Sequence, residues 1–478
     1  MPGIPHPVPL SIRTFVCVGV CAVVSLTGCQ TSSQKVRRVS FTPAKKIELK
    51  SYDASAVRQV GFQSDEETVS NAGLIPTAEP MEFSVADDFQ APVKLAELEQ
   101  LLVYSHPELL KAQSQIAALE GKKLQAGLGP NPTGGLIGDD INADDGAGRF
   151  GVFYSQQVVR GGKLEVAESV VCAQIAVARN TYQATRQRLL IELRQRYYNV
   201  LLAQETVRQT LELSTVLERS VEVSQKLFEA EEIAKAPVLR SQVELQNVNM
   251  MVRQAENQRT KALRRIAALL GESEVKFESL AGDVRNAPTL GDFETAFDRM
   301  LENHPELSAA LANIEQARRK LTLQNVAPIP NLTWQTSLQY DFTTDEVVGG
   351  FQIGMPIPKH NRNEGAIFQA QQDIQSSVHA ADQKVLELRD RLTEAWGSYI
   401  DAKIQVELID SDILPKAEEA LNLANEGYRQ GETPYLELLL AQQLFAKTKL
   451  GYLQKLRQRW EFEVEIRGLV ANYVGDGS

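Results

Sequence analysis

KLEVAESVVCAQIAVARNTYQATRQRLLIELRQRYYNVLLAQETVRQTLELSTVLERSVEVSQKLF, residues 163–228, begins a stretch that reaches Ala236 without a Gly or a Pro. Leu, Val, Ala, Glu, Gln and Arg dominate it, mostly residues that tolerate a helix. Read as one helix, Lys163 to Phe228 spans roughly 100 Å at about 1.5 Å per residue, whereas an ordinary globular helix has about 10–14 residues. Leu193, Val200, Val207, Ser214, Val221 and Phe228 recur at every seventh position, with Ala203, Thr210 and Leu217 in a thinner line beside them. A period near 3.5 asks for partner helices lying almost parallel and supercoiled with this one. No compact domain has room for such a rod, so the protein works by reaching across a distance. A second rod lies between about Gly365 and Tyr428. There Val385, Leu392, Tyr399, Val406, Ile413 and Ala420 form the seven-residue seam, and Leu388, Ala395, Ala402 and Ile409 interleave with it.

The flanks of the rods repeat too. Upstream of the first, Gly161-Gly162 opens the helix, and Phe150, Val152 and Tyr154 alternate with Gly151, Phe153 and Ser155 as a strand does. Before that come a Gly- and Asp-rich stretch to Gly148, the breaker Gly129-Pro130-Asn131-Pro132, a helix to about Leu128, and a short helix marked by Leu95, Leu98, Leu101 and Leu102. Ser105 is placed to cap the longer of these helices, with Pro107 in its first turn. Downstream, Glu229–Ala236 reads as a turn, Pro237 suits a helix start, and a return helix runs over about 238–270. Gly282–Thr289 is a loop. Then the order restarts. Asn303-His304-Pro305-Glu306-Leu307 echoes Ser105–Leu109, and Pro328-Ile329-Pro330 echoes Pro130-Asn131-Pro132, both at an offset of 198. Trp396 falls on Tyr197 at 199, and Ala441-Gln442 on Ser241-Gln242 at 200. A nearly constant offset over these landmarks means internal duplication.

The clearest strands are in the second copy. Leu332, Trp334, Thr336, Leu338 and Tyr340 share one face, and Thr333, Gln335, Ser337 and Gln339 the other. After the turn-like Asp341–Glu346, Val347, Gly349, Phe351, Ile353 and Met355 alternate with Val348, Gly350, Gln352 and Gly354. Each strand has about ten residues, the length of a tilted transmembrane strand, and apolar-out with polar-in is the pattern of a barrel with lipid outside. By pattern alone, a half-buried hairpin on a soluble core is the plainer reading. The first-copy strand from Thr133 to Ile141 is poorly patterned.

Residues 1–28 read as a signal peptide. Arg13 precedes an apolar run from Phe15 to Leu26, too short to span a bilayer and of secretory proportions. Leu26-Thr27-Gly28-Cys29 resembles the bacterial lipobox, with Cys29 as the lipidated mature N-terminus; an ordinary signal with a coincidental Cys is the alternative. With Gln30 after the Cys, the resemblance to lipoproteins implies sorting to the outer membrane, since an Asp there would favour retention at the inner membrane. Residues 29–90 are polar, with scattered charge and short Pro-containing stretches, and read as a largely irregular tether. Cys17 and Cys21 leave with the signal and Cys172 remains a lone thiol, so no intrachain disulfide forms. A formal net charge of −11 speaks against a nucleic-acid partner.

Two hairpins give about four strands, too few to close around a lumen, and an open edge in lipid costs several kcal/mol per unpaired backbone group. Strands in a membrane would therefore be shared between copies; three chains would supply about twelve, within the known range. The rods ask for the same closure, because each needs neighbours on two sides.

In this order the landmarks resemble the outer membrane efflux protein family, of the TolC-like type and nearest its heavy-metal branch. The resemblance covers about residues 91–471. Its carriers are the duplicated His-Pro-Glu-Leu, Pro130-Asn131-Pro132, Arg160-Gly161-Gly162-Lys163, Ile413-Leu414-Pro415-Lys416-Ala417, Tyr428-Arg429-Gln430-Gly431-Glu432-Thr433 and Leu438-Leu439-Leu440-Ala441-Gln442. It implies a mainly α fold with a small transmembrane β part: a trimeric α-helical barrel under a shared 12-stranded β-barrel, built from two repeats per chain. The repeats would be 91–290, with a hairpin at about 132–158 and helices at about 163–228 and 238–270, and 291–478, with a hairpin at about 331–357 and helices at about 365–428 and 435–471. The resemblance implies a homotrimer in outer membrane lipid that works with a periplasmic adaptor and an inner-membrane pump as a passive duct for small molecules or metal ions. The turns near Glu231 and Lys235, and near Tyr428, Gly431, Glu432, Thr433 and Glu437, would be the periplasmic tips, serving as docking surface and gate. This sequence departs from the pattern where Glu231 stands against Gly431 and Pro237 against Glu437, so a trimer would carry one ring of carboxylates at its entrance. That ring would favour cations in a narrow aperture; a solvated helix-terminal Glu is the plainer reading. Pro415 inside the second rod should bend or unwind it.

Other constellations point nowhere else. His106 and His304 fit helix starts better than metal or acid–base roles. Asp139, Asp140, Asp144 and Asp145 lack the spacing of an EF-hand loop and suit an exposed loop. No nucleophile elbow, phosphate-binding loop or metal-ligand cluster is present, so no enzyme, cofactor or metal is expected. Competing functions are a lipid-anchored periplasmic coiled-coil spacer and an exit duct for type I protein secretion.

Overall fold

The computed structural model describes residues 92–140, 148–271, 277–285 and 290–470. The signal, Cys29, the tether, and Asp144 and Asp145 lie outside the described residues. Helices α1 (Leu95–Ser105) and α2 (Pro107–Gly127) lead to strands β1 (Thr133–Asp139) and β2 (Arg149–Val158), then to α3 (Lys163–Glu229) and α4 (Lys235–Leu269). The series repeats as α5 (Phe293–Asn303), α6 (Pro305–Val326), β3 (Leu332–Asp341), β4 (Glu346–Gly354), α7 (Glu364–Leu408), a π-helical turn (Ile409–Ile413), α8 (Leu414–Arg429) and α9 (Tyr435–Leu469).

Helix α3 has 67 residues and no break, about 100 Å of rod. Leu193, Val200, Val207, Ser214 and Leu217 are buried along it. Nearer the tip the seam moves to Ser220 and Ser224, leaving Val221 and Phe228 half-buried. A helix of 3.6 residues per turn drifts by about 20° per heptad against a strict seven-residue line, so the buried row steps sideways where supercoiling is weak. The second rod departs further from expectation. Leu392, Tyr399 and Val406 are buried, but Ile413 is 41% exposed and Ala420 is exposed; Ala417 and Ala424 take the inner positions. The π turn causes this, because its wider ring rotates everything after it relative to the rod above. Pro415 follows in the first turn of α8, where its missing N–H needs no partner.

Both short-helix junctions are capped by histidine. His106 and His304 hold extended backbones (φ −69°, ψ 122° and φ −72°, ψ 123°). Each Nδ1 accepts the N–H of the residue two positions on, Glu108 or Glu306, at 3.2 Å. Ser105, expected as the cap, instead donates to the carbonyls of Leu101 and Leu270 at 2.8 and 2.9 Å, tying α1 to the end of α4.

Halfway along the rods the helical layer thickens. Leu98, Leu102, Leu109, Leu193, Val200, Ile266, Leu456 and Trp460 form the larger core, closed by Phe277, Leu280 and Val284. Met300, Leu388, Leu392, Tyr399 and Ile466 form its counterpart in the second repeat. Above this level the layer runs α2–α3–α6–α7; below it, α4–α3–α9–α7/α8.

Candidate functional site

The four strands form one antiparallel sheet in the order β1-β2-β3-β4. The register pairs Leu136 with Val152, Val152 with Leu338, Phe150 with Tyr340, Tyr340 with Val347, and Thr336 with Phe351. Every one of these side chains lies on the same face, because facing residues in a ladder share a face and alternate residues return to it. The opposite face carries Ser155, Gln157, Gln335, Ser337, Gln339 and Gln352, with Arg149 bridging Asp140 and Asp341 at 3.2 Å each at one end. The Gly-rich β1, illegible as a strand from pattern, is fixed by its ladder to β2.

What the apolar face touches decides its role. Leu136 is 86% exposed, Phe351 70% and Val347 64%, and Val152, Leu338 and Ile353 are each more than half exposed. Among the described residues no core covers this face. Among the described residues, the outer edges of β1 and β4 have no ladder partner. The helical layer is open in the same way: Leu239, Val243 and Met250 on α4, and Ile404, Leu408 and Leu423 on α7 and α8, are exposed apolar side chains on opposite flanks.

The far end of the molecule holds the two tips. Both helices end in the same six-residue wrap. The N–H of Glu231 meets the carbonyl of Phe228 at 3.0 Å and that of Glu232 the carbonyl of Leu227 at 2.9 Å; Gly431 to Tyr428 (3.1 Å) and Glu432 to Gly427 (2.8 Å) repeat the pattern. The turn needs a left-handed residue, which Gly431 provides at φ 78° and Glu231 provides at φ 62° despite its side chain. The N–H of Thr433 shares the Gly427 carbonyl at 3.1 Å. A Cβ on Gly427, not singled out from sequence, would press on the Thr433 side chain, 3.1 Å from its Cβ, so Thr433 would have to shift.

Tyr428 stacks edge-on against Tyr435 with centroids 5.8 Å apart. The Tyr435 hydroxyl is buried against the Ser220 hydroxyl and lies 3.4 Å from its carbonyl. This bond joins the second tip to the first rod. Below it, Ser224 and Ser241 pair at 2.9 Å within the first hairpin. Sequence reasoning missed Tyr435, Ser220, Ser224 and Ser241; the one signal was hydroxyls standing in an otherwise apolar seam. Glu231, Glu232, Lys235, Glu432 and Glu437 are all exposed, with Glu437 in the first turn of α9 and Lys235 at the start of α4. Pro415 lies well up the rod and is not part of the tip cluster.

Among the described residues no three His, Cys, Asp or Glu side chains gather to hold a metal ion, and no helix is long and apolar enough to cross a membrane.

Comparison with known proteins agrees with this geometry. Residues 296–472 match the sequence model of the outer membrane efflux protein family. The cobalt-zinc-cadmium resistance protein CzcC of Cupriavidus metallidurans is 22% identical over 373 residues, covering 77% of this chain and 88% of that protein. Among solved structures, CusC superposes with a TM-score of 0.65 at 15% identity, over 79% of this chain and 91% of that one. The open-state MtrE outer membrane channel of Neisseria gonorrhoeae gives 0.63 at 14%, over 79% and 88%. An exposed apolar sheet on a two-repeat helical rod thus carries, over residues 296–472, the match to the outer membrane efflux protein family, and the chain shares the fold of these solved outer membrane channels.

Proposed function

We propose that three copies close edge to edge into one duct, with β4 of each chain pairing with β1 of the next and α7/α8 of each packing on α2 and α4 of the next. The observation that carries this is the double opening among the described residues: two strand edges without a ladder partner beside an exposed apolar sheet face, continued downward by two apolar helix flanks. Three four-stranded sheets give about twelve strands, enough to enclose a water-filled lumen lined by the Gln- and Ser-rich face. The same closure satisfies every edge hydrogen bond, which lipid would otherwise leave unmet.

In this reading the barrel crosses the outer membrane, the rods cross the periplasm, and Cys29 carries the lipid that adds a second hold on the bilayer. The tips built around Gly431, Thr433 and Tyr435, and around Glu231 and Lys235, are where a periplasmic adaptor and an inner-membrane pump engage. The channel does no chemistry; the pump delivers small molecules or metal ions to it. The name of the Cupriavidus relative, a cobalt-zinc-cadmium resistance protein, supports a metal-handling system. The test is to purify the membrane-extracted protein, measure its mass in detergent, and record current in a planar bilayer. A trimer with discrete conductance steps is the expected result. A monomer released from membranes by removing the acyl anchor would overturn the reading and leave a periplasmic spacer.

A further inference from the structure

The two sides of the helical layer are not alike. At mid-rod, Tyr197, Leu201 and Gln204 lie on one face of α3. The Tyr197 hydroxyl donates to the Ala281 carbonyl, and the Gln204 amide bonds both the carbonyl and the N–H of Leu280, at 3.3 and 3.0 Å. Leu201 packs with Val93, Leu98 and Leu102 in the same core. Asn199, Ala203, Thr206 and Thr210 fall half a turn away and floor an open groove of about 640 Å³ between α4 and α9. Helix α1 and segment 277–285 thus add bulk to one side of the layer only. A layer that closes into a tube carries such bulk outside, so the groove opens into the lumen. This step rests on the trimeric channel proposed above.

The charge of the groove runs against that of the chain. Lys261 and Arg265 of α4, Arg457 of α9 and Arg196 of α3 wall its upper half, and Glu461 is the one carboxylate in its lining. Arg196 is engaged by Glu192 and by the Arg265 carbonyl. Lys261, Arg265 and Arg457 are exposed, and no ion pair among the described residues holds them. Asn199, Gln254, Gln258 and Gln454 supply amide donors between them. Further down, the groove turns apolar with Leu213, Leu217 and Val248, where Glu244 and Lys447 are balanced. In a protein of net charge −11, three unpaired cations converging on one groove are not a by-product of composition. Low-dielectric walls would strengthen their field on a solute, and three copies would repeat it around the lumen.

We propose that this groove is an anion-binding station in the lumen, and that it takes carboxylate- or phosphate-bearing solutes, or a metal travelling as an anionic complex, in preference to a bare cation. Guanidinium forks suit such oxygens in a bidentate way, and the lysine adds a mobile point charge.

The test uses the full-length protein and its Lys261→Gln, Arg265→Gln, Arg457→Gln triple variant, whose three side chains are exposed. Equilibrium dialysis at low ionic strength measures binding of inorganic triphosphate, and bilayer recordings under a KCl gradient measure the reversal potential. The expected result is triphosphate binding that weakens about tenfold in the variant, with the reversal potential moving toward greater cation preference. Equal binding by the two proteins, or an unmoved reversal potential in conducting channels, overturns the anion station and leaves the channel intact. Loss of binding in the variant with no conductance from either protein would instead remove the channel reading, and the lumen placement with it.

Discussion

The first repeat travels from sheet to tip as one 67-residue helix; the second makes the same journey in two helices joined by a π turn at Ile409–Ile413. The first tip turns on a left-handed glutamate, the second on a left-handed glycine. Where the first return helix begins with an exposed Lys235, the second begins with a buried Tyr435 whose hydroxyl is pinned to Ser220 of the first rod. Two copies of one plan have thus diverged in the continuity of their rods and in the residue at their turns. The first hairpin is a continuous stave with its wrap locked by local bonds. The second has a widened turn partway up, the same local wrap, and a Tyr435–Ser220 bond that joins it to the first rod beside the Leu439–Leu217 contact. If the duct opens at its end, the second hairpin, with its π turn, is expected to move more than the first.

The largest expected effect lies at the paired histidine caps. His304 is 4% exposed, whereas His106 is half-buried. Replacing either with Ala removes a helix cap worth about 1 kcal/mol. His304→Ala also empties a packed site, for a total of about 2–3 kcal/mol. Chemical denaturation monitored separately in the two repeats should rank them so; equal costs would remove the distinction. Burial holds the His304 imidazole down to a pKa of about 4, with the charges of Glu306, Arg391 and Lys384 as smaller influences. Its folded value lies below the ordinary 6.5, so the unfolded chain binds the proton first. The stability this group contributes is therefore complete above about pH 6.5 and falls as pH drops toward 4. Protonation would also turn the Nδ1 acceptor into a donor and break the bond to Glu306 N–H. Amide-exchange protection at the α5–α6 junction, corrected for intrinsic rates, should fall over that window.

The tips come next. Gly431→Ala forces a side chain into the left-handed region and should cost about 1 kcal/mol. Glu231→Gly should gain up to about 1 kcal/mol, because the strain is already present there. Thermal unfolding of the two variants should shift in opposite directions. Shifts of the same sign would show that the wraps differ in more than their φ angles.

A subtler contrast concerns the rods. Amides around Pro415 should exchange about tenfold faster than those around Thr215, a difference of about 1.4 kcal/mol in local opening. Thr215 sits at the matching point of α3, where the helix is unbroken and its hydroxyl donates to the Leu211 carbonyl at 3.1 Å. Equal protection would mean that the π turn is as firm as regular helix.

The sequence disclosed the long rods, the duplication and the second-copy strands because each is a periodic signal summed over many residues. It was weaker wherever one residue changes the phase. Nothing in the seven-residue row through Ile413 and Ala420 shows that a π turn will rotate it away and bring Ala417 and Ala424 inward. β1 was hard to read because Gly134, Gly135 and Gly138 carry no side chain to alternate, so its register comes from β2. At the first junction residue preference points to Ser105 as the cap, although His106 has the extended backbone and the acceptor. At the tips, the turns and the Glu231/Gly431 contrast were legible as composition. The Tyr435–Ser220 bond was not, because it joins residues 215 positions apart.

The smallest effect tests the last asymmetry. Glu437 is exposed in the first turn of α9, and the matching residue of the first repeat, Pro237, lies in the first turn of α4. If three copies gather at the entrance, Glu437 forms one carboxylate ring where two could have stood. Glu437→Ala should lower cation preference by less than about threefold, since a solvated ring acts on ions only where the aperture is narrow. Pro237→Glu sharpens the test: it adds the missing ring, the start of a helix tolerates the change, and cation preference should rise. Reversal potentials read both variants directly. If neither moves them, the entrance charge does not select, and selectivity rests on the cationic groove higher in the lumen. If both move them in opposite directions, the duct carries an acidic entrance below a basic station, and the order in which a solute meets them is fixed by the direction of export.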